Sequence, residues 1–556
     1  MGGFLGHGYG IKGCGHSMLL DEWKGVVCAV NTPVNESGQV QTASAYRKEL
    51  GFWTVVFLAT GGILGPAVGF TPVSVLALSG PSGILSWVIA FLLIMAVAMA
   101  YVELGTMWPK AGGVAYYPAK SSGPIVGVMN AWGSFVGYAL AVPSIVVAFV
   151  EYLSYWVPSL YKNGVLTPPG IVSAIVVTIV IFGINTLRIR YMGQLNNIFT
   201  VLTIIGLVVV SAVLLGHMHP ANFTRYRGFM PFGTSGLFLA ISATIYGYGG
   251  FRQPIDYAEE VKDPGRTIPK AVFLTMIMTL AVYFLESLSY LGAIDWKGIG
   301  VHGGNWSGLS TLAYPFVSVA HGMGLPIVGL MAMLTMLIAS FKDGYIYFGG
   351  ASRIGYSLSH YDGYLPKMFT RMTKNGIPLP SVLLVLIVSS LYIILLPSFS
   401  SLFPLVASAL LLSYAPGPLS LAIFRKKYPH ETRPYVLPFY QVLAPFAFVI
   451  SSLMIYWSGW ASVHILIPSV FLGLLLLFFY RRQRKITGHD WKHGIWLPIF
   501  QLALMVLSYV GSKNFGGQNI LVSPWDSVVV ALVALAFYYW GLNSGLQWEE
   551  TDTSGP

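Results

Sequence analysis

The stretch FWTVVFLATGGILGPAVGFTPVSVLAL, Phe52–Leu78, decides the fold. It is long and apolar enough to cross a bilayer, for which about 20 residues suffice. Yet Gly61, Gly62, Gly65 and Pro66 interrupt its middle. Proline removes a helical donor and clashes with the preceding turn. Glycine tolerates the irregular backbone that follows. A second interrupted stretch, IYGYGGFRQPIDYAEEVKDPGRTIP (Ile245–Pro269), follows the apolar run Gly236–Thr244 and carries Gly247, Gly249 and Gly250. Unpaired backbone at membrane depth is tolerated only where it lines a cavity or is buried in protein. Two broken spans, the first and the sixth, point to a transporter built from inverted repeats of five helices each.

The whole composition fits that reading. Of 556 residues, 55% are hydrophobic and 9% charged, against roughly 25% charged in soluble domains. Lipid is the expected solvent and surrounding partner. Fourteen candidate spans run from Gly51 to Leu542, among them Gly51–Ser79 (first), Ile125–Val150 (third), Thr234–Ala258 (sixth), Gly324–Ser352 (eighth) and Leu402–Phe424 (tenth). With the amino terminus inside, the inner segments hold 24 Lys and Arg and the outer ones 5. That bias places both termini in the cytoplasm and accounts for the net charge of +11 without nucleic acid. The expected organisation is a cytoplasmic tail (1–48), a first repeat (49–220), a second repeat (221–436) and four further helices with a short tail (437–556). No cleavable leader is read at the amino terminus, so the first span is expected to act as an uncleaved anchor. The cysteines are Cys14 and Cys28, too few for a disulfide framework. With His7 and His16 they fit no zinc spacing, so neither a metal nor a cofactor is expected.

At a helix break, free N–H groups and the positive end of the helix suit a carboxylate. Free carbonyls suit an ammonium group. A pair of facing breaks therefore suits a zwitterion. The alternative reading of the glycines is close helix packing.

Four further stretches extend the case. They are YVELGTMWPKAGGVAYYP (Tyr101–Pro118), AEEVKDPGRTIPKA (Ala258–Ala271), GASRIGYSLSHYDGYLPKMF (Gly350–Phe369) and RKKYPHETRPYVLP (Arg425–Pro438). In this order they resemble the inner loops of the amino acid–polyamine–organocation superfamily of permeases. The resemblance covers about residues 50–440 and implies an all-α, alternating-access carrier of amino acids or related amines. It implies a small-molecule substrate held by Gly62, Ile63, Gly65, Pro66 and Ala67 in helix 1 and by Tyr246, Gly247, Tyr248, Gly249 and Gly250 in helix 6, with Tyr246 as gate. The chain departs from the family's Gly-Ser-Gly-like turn, because Pro66 supplies no N–H, so either neighbours such as Gly62, Ile63 and Val68 supply the amides or the substrate is not an ordinary α-amino acid. The chain also places Arg252 where relatives often carry an acid.

Charged residues inside spans are functional candidates by default. Two readings stand for Arg252: a structural ion pair, with Asp256, Glu286 or Asp343 as partner, or a direct contact to an acidic substrate. Glu286 reads either as a proton carrier or as the partner of a buried polar group. The family sometimes places a lysine on helix 5 where related carriers bind sodium. The matching position here is Thr203, and Lys342, beside Asp343 on helix 8, is the candidate to replace that charge and remove sodium dependence. Proton coupling, as symport or exchange, is the corresponding expectation. Trp132, Tyr138, Ser413 and Tyr414 are further cavity candidates, each with a packing alternative. Glu103 is expected to be structural, and Glu151 to lie near the outer end of helix 3.

Rival classes fare worse. No HExxH, nucleophile elbow or phosphate loop points to an enzyme. His489 and His493 lack a third ligand nearby. No filter sequence or polar pore ring points to a channel. A sensor on a transporter-like fold remains the alternative, since a site that binds need not transport.

Overall fold

The computed structural model describes residues 46–361, 363–480 and 488–546, apart from the side chains of Tyr246, Ser400, Phe403, Pro404, Ala407, 478–480 and 488–489. The tail with Cys14, Cys28, His7 and His16 lies outside the described residues. The chain is a bundle of helices, in chain order α1 (Phe52–Ile63), α2 (Ala67–Ser79), α3 (Gly83–Met107), α4 (Gly113–Leu153), α5 (Pro168–Asn185), α6 (Ile189–Leu215) and α7 (Gly233–Gly247). There follow α8 (Gln253–Asp256), α9 (Pro264–Ala293), α10 (Pro315–Gly322), α11 (Pro326–His360), α12 (Leu379–Leu395), α13 (Phe399–Leu412) and α14 (Pro416–Lys427). The last are α15 (Tyr440–Trp457), α16 (Trp460–Phe471), α17 (Gly473–Tyr480), α18 (Gly488–Gly494), α19 (Trp496–Val510) and α20 (Trp525–Asn543). A two-stranded hairpin, Tyr161–Lys162 with Val165–Leu166, caps the α4–α5 connection.

Ten helices among the described residues are long and apolar enough to cross a membrane. The protein is therefore an integral membrane protein. The difference from fourteen expected spans has a local origin: several expected spans are divided or short. The first becomes α1 and α2, broken at Leu64-Gly65-Pro66, and α1 has only 12 residues. The tenth divides into α13 and α14 at Ser413-Tyr414-Ala415, a break that sequence reading missed.

The segment expected to be an inner loop before the third span is helical from Gly113, and α4 runs through it with a kink. Gly123 sits at φ 81°, in the left-handed region. There a glycine is needed, and Pro124 follows it. The first part of α4 is held by Asn130, whose amide donates to Val114 O at 2.9 Å, and by Tyr117, whose hydroxyl donates to Trp108 O at 2.9 Å. Helices α4 and α11 then make the most extensive helix–helix contact in the bundle, and the first break lies against them.

Ion pairs around three buried carboxylates close one end of the bundle: Glu103, which Arg433 also approaches at 3.4 Å, Glu260 and Asp256. Glu103, at the end of α3, accepts from Arg425 Nε at 2.6 Å and Nη2 at 2.7 Å and from the Leu437 amide at 2.7 Å. This is the structural role expected for it. Arg353 donates to both oxygens of Glu260 at 2.6 and 2.7 Å and stacks 3.9 Å over Tyr257. The Glu260 carbonyl accepts from the amides of Glu49 and Leu50 at 3.0 Å, and Leu50 pairs with Val261 in a parallel bridge. The chain entering α1 is thus tied to the segment leaving the second break. The third pair, Arg252–Asp256, belongs to the site.

Glu103 is fully buried, so removing its charge strands Arg425. Glu103→Gln is expected to cost roughly 3–5 kcal/mol, the usual loss when one partner of a buried pair goes. Thermal unfolding in detergent measures it, and an unchanged midpoint would show that the network holds nothing together.

Candidate functional site: a cavity between two broken helices

The two breaks face each other across a small cavity. Gly62, Ile63, Pro66 and Ala67 line it from the first break, and Gly247 and Gly249 from the second. Ala141 and Ile145 of α4, Asp343 and Tyr347 of α11, and Val406 of α13 complete the wall. Six of the residues expected to hold a substrate are therefore brought together. Ala141, Ile145, Tyr347 and Val406 were missed. Tyr347 was within reach of a spacing argument, since it lies one helical turn beyond Asp343.

The remaining expected contacts resolve differently. Gly250 packs on the backbone of Gly62, where a Cβ would collide with the Gly62 carbonyl. It is there for close helix approach, which is the packing reading of this glycine. The side chain of Tyr248 turns away from the cavity. It donates to Trp87 O at 3.1 Å and meets the stacked rings of Trp87 and Tyr283 edge-on. Its ring completes an aromatic cluster with α3 and α9, so any contact it makes with a substrate is through its backbone. The backbone of Tyr246 belongs to α7, and its side chain, the expected gate, lies outside the described residues. Trp132 is also not in the wall: its indole donates to Ser469 O at 3.0 Å, against α16.

Breaking a helix releases backbone carbonyls that must find donors. At the first break their partners can be named. Lys342 Nζ donates to Gly61 O at 2.8 Å and Leu64 O at 2.6 Å. Tyr283 of α9 donates to Ile63 O at 2.9 Å, and Tyr152 of α4 to Pro66 O at 3.3 Å. Lys342 is fully buried, and it sits where the carbonyl end of α1 carries partial negative charge. Thr203 is buried too, but its hydroxyl turns back to Phe199 O at 2.8 Å. On α6 it is Asn196 and Thr200 that crowd Gly61.

The second break is less open than its glycines suggest. Its chain continues as a 3-10 turn, Gly249–Arg252. Gly249 O accepts from Tyr414 at 2.7 Å, and Tyr248 O from the Phe251 amide at 3.2 Å. Below Gly249 lies Arg252, fully buried. Its Nε donates to Asp256 Oδ2 at 3.0 Å and its Nη1 to Ser413 Oγ at 2.5 Å. The guanidinium lies 4.5 Å over Tyr138 and 5.6 Å from the Tyr414 ring centre. Tyr138 in turn donates to Asp256 at 2.6 Å. Of the three partners weighed for Arg252, Asp256 is the one it bonds. Tyr138, Ser413 and Tyr414 serve this ion pair beneath the cavity floor and do not appear in the cavity wall. Glu286, on α9, is buried, and neither of its oxygens has a hydrogen-bond partner among the described residues.

The Arg252–Asp256 pair gives a direct test. Arg252→Met leaves Asp256 buried with Tyr138 as its remaining partner and is expected to destabilise by about 3–5 kcal/mol. Adding Asp256→Asn is expected to recover part of that loss, a coupling that a double-mutant cycle in thermal unfolding reads directly. Strictly additive losses would show that the two residues do not act as a pair.

Comparison with known proteins agrees with this architecture. Residues 50–480 match the family described as Amino acid permease. The glutamate/serine transporter AimA of Bacillus subtilis (strain 168) is 30% identical over 516 residues, which cover 90% of this chain and 95% of that protein. The aspartate-proton symporter of the same organism is 29% identical over 512 residues, covering 90% of this chain and 97% of that protein. The aromatic amino acid transport protein AroP of Escherichia coli (strain K12) is 25% identical over 461 residues, covering 78% of this chain and 96% of that protein. With this match over most of its length, the chain belongs to the amino acid permease family of the amino acid–polyamine–organocation superfamily.

Proposed function

We propose that the protein is a secondary active transporter that moves amino acids by alternating access and couples their movement to protons. One observation carries this reading. Two helix breaks meet at a small cavity, and a lysine ammonium occupies the carbonyls of the first. Broken helices around a central cavity are the usual substrate sites of inverted-repeat carriers. The expected repeats, 49–220 and 221–436, each begin with one of the two breaks. In this reading the divided helices are single crossings, the spans number fourteen, and the charge bias favours both termini on the cytoplasmic side.

Lys342 supports proton rather than sodium coupling. Its ammonium holds two carbonyls of the first break, and a metal cation there would face a like charge. The relatives support the substrate class. One is named for glutamate and serine and another for aspartate with a proton. The cavity offers such molecules amides at the start of α2 and an aromatic wall at Tyr347. In this reading Arg252 keeps the cavity floor intact through Asp256.

The test is uptake by the purified protein in liposomes under an inward proton gradient, with labelled serine, glutamate and aspartate in turn. Accumulation of at least one is expected, unchanged when sodium is replaced by potassium. Lys342→Met is expected to lower the rate by at least about tenfold, because two buried carbonyls lose their donor at a cost of roughly 1–3 kcal/mol each. No accumulation of any of the three by folded protein would sink the proposal, and so would an absolute sodium requirement.

A further inference from the structure

Asp343 is next to Lys342 in sequence, yet the two side chains serve different ends of the break. Lys342 bonds carbonyls at the end of α1. The Asp343 carboxylate lies against Gly65, so closely that a Cβ there would collide with it. Asp343 is 5% exposed, it lines the cavity, and its Oδ1 has no hydrogen-bond partner among the described residues.

The carboxylate thus stands at the start of α2, where the positive end of the helix and its first amides favour an anion. Pro66 has no N–H. The Val68 and Gly69 amides bond the carbonyls of Gly65 and Pro66. The Gly65 and Ala67 amides remain, the place where the carboxylate of an amino acid would be held. The titratable groups around Asp343 are Lys342, Tyr345 and Tyr347 on its own helix. The first break itself brings none, but α4 adds Tyr152, which bonds Pro66 O, and α9 adds Tyr283, which bonds Ile63 O. In the cavity wall the second break presents Gly247 and Gly249, α4 presents Ala141 and Ile145, and α13 presents Val406.

We propose that Asp343 is a tethered rival of the substrate's carboxylate, holding the start of α2 in the empty carrier and yielding it only when Asp343 takes up a proton. The inference rests on the transport reading and supplies its coupling step. Two carboxylates sharing one site cannot both stay ionised. Turning an ionised Asp343 aside into Ala141, Ile145 and Val406 would strand a charge in an apolar wall. A neutral carboxylic acid turns aside at far lower cost. One proton therefore enters with each amino acid and leaves Asp343 when the substrate leaves.

The test uses full-length protein and whichever of serine, glutamate or aspartate the wild type accumulates. In the wild type, affinity is expected to weaken with rising pH, approaching tenfold per pH unit once Asp343 is ionised, as linkage of one proton requires. Asp343→Asn is expected to bind as tightly as the wild type does at low pH. Its affinity should no longer follow pH, and it should exchange substrate across the membrane without accumulating it. Asp343→Glu is expected to keep a pH-dependent affinity. A pH-independent wild-type affinity overturns the proposal, and that measurement needs no variant. So does an Asp343→Asn protein that still accumulates substrate on a proton gradient. So does one that is folded but binds at no pH, which would make Asp343 a grip on the substrate's ammonium instead. Wild-type protein that accumulates none of the three fails earlier, at the transport reading itself.

Discussion

The carbonyls released at the first helix break, and the ammonium that satisfies them, are the constraint on which the site depends. A chain crossing lipid has no water to hydrogen-bond stray backbone groups. Pro66 forces the break, and Gly61, Gly62 and Gly65 let the backbone follow. The exposed oxygens of Gly61 and Leu64 then need a donor that can reach two of them, and Lys342 is that donor. Burying an ammonium is costly on its own. Here the cost is offset by two charge-assisted hydrogen bonds and by the negative end of α1. Tyr283 and Tyr152 take two further carbonyls, so α4, α9 and α11 are all fastened to one irregular stretch.

The second break is stabilised by a different device. Arg252 is a charge in a place that has no solvent, and its environment is built around that fact. Asp256 neutralises it one helical turn away, Ser413 accepts from it, and the rings of Tyr138 and Tyr414 cover it. Tyr414 also holds Gly249 O, so the cavity floor and the ion pair share a residue. The pair lies on the side of the cavity closed by Glu103–Arg425 and Glu260–Arg353. Any opening on that side must separate groups that are bonded in this conformation.

The breaks at Gly65-Pro66 and Gly247–Gly250 were legible because glycine and proline act on their own backbone, and the effect is local. Lys342, Asp343 and Glu286 stood out because charge in lipid needs a reason. The kink at Gly123 and the division at Ser413-Tyr414-Ala415 were missed. The former lies in a segment read as a loop, and the latter has no glycine before its proline. The direction of side chains was harder still. Tyr248 and Tyr347 are both tyrosines at a break or near a charge, but one faces Trp87 and the other the cavity. Which way each points is set by the aromatic cluster of α3 and α9 and by Tyr138 of α4, partners distant in sequence. Gly249 and Gly250 are neighbours, yet one lines the cavity and the other packs on Gly62.

The order of Lys342 and Asp343 carries the last step. Neighbours on a helix point about 100° apart, so one helix can place a cation and an anion on two ends of the same break. The ammonium meets the carbonyl end of α1, and the carboxylate meets the amide end of α2. Each charge opposes the local helix dipole. Exchanging the two residues would set like against like at both ends. The same complementarity makes the start of α2 a contested place. The helix end that would hold a substrate's carboxylate is already attractive to one on the chain, and a second anion can settle there only once the first has lost its charge.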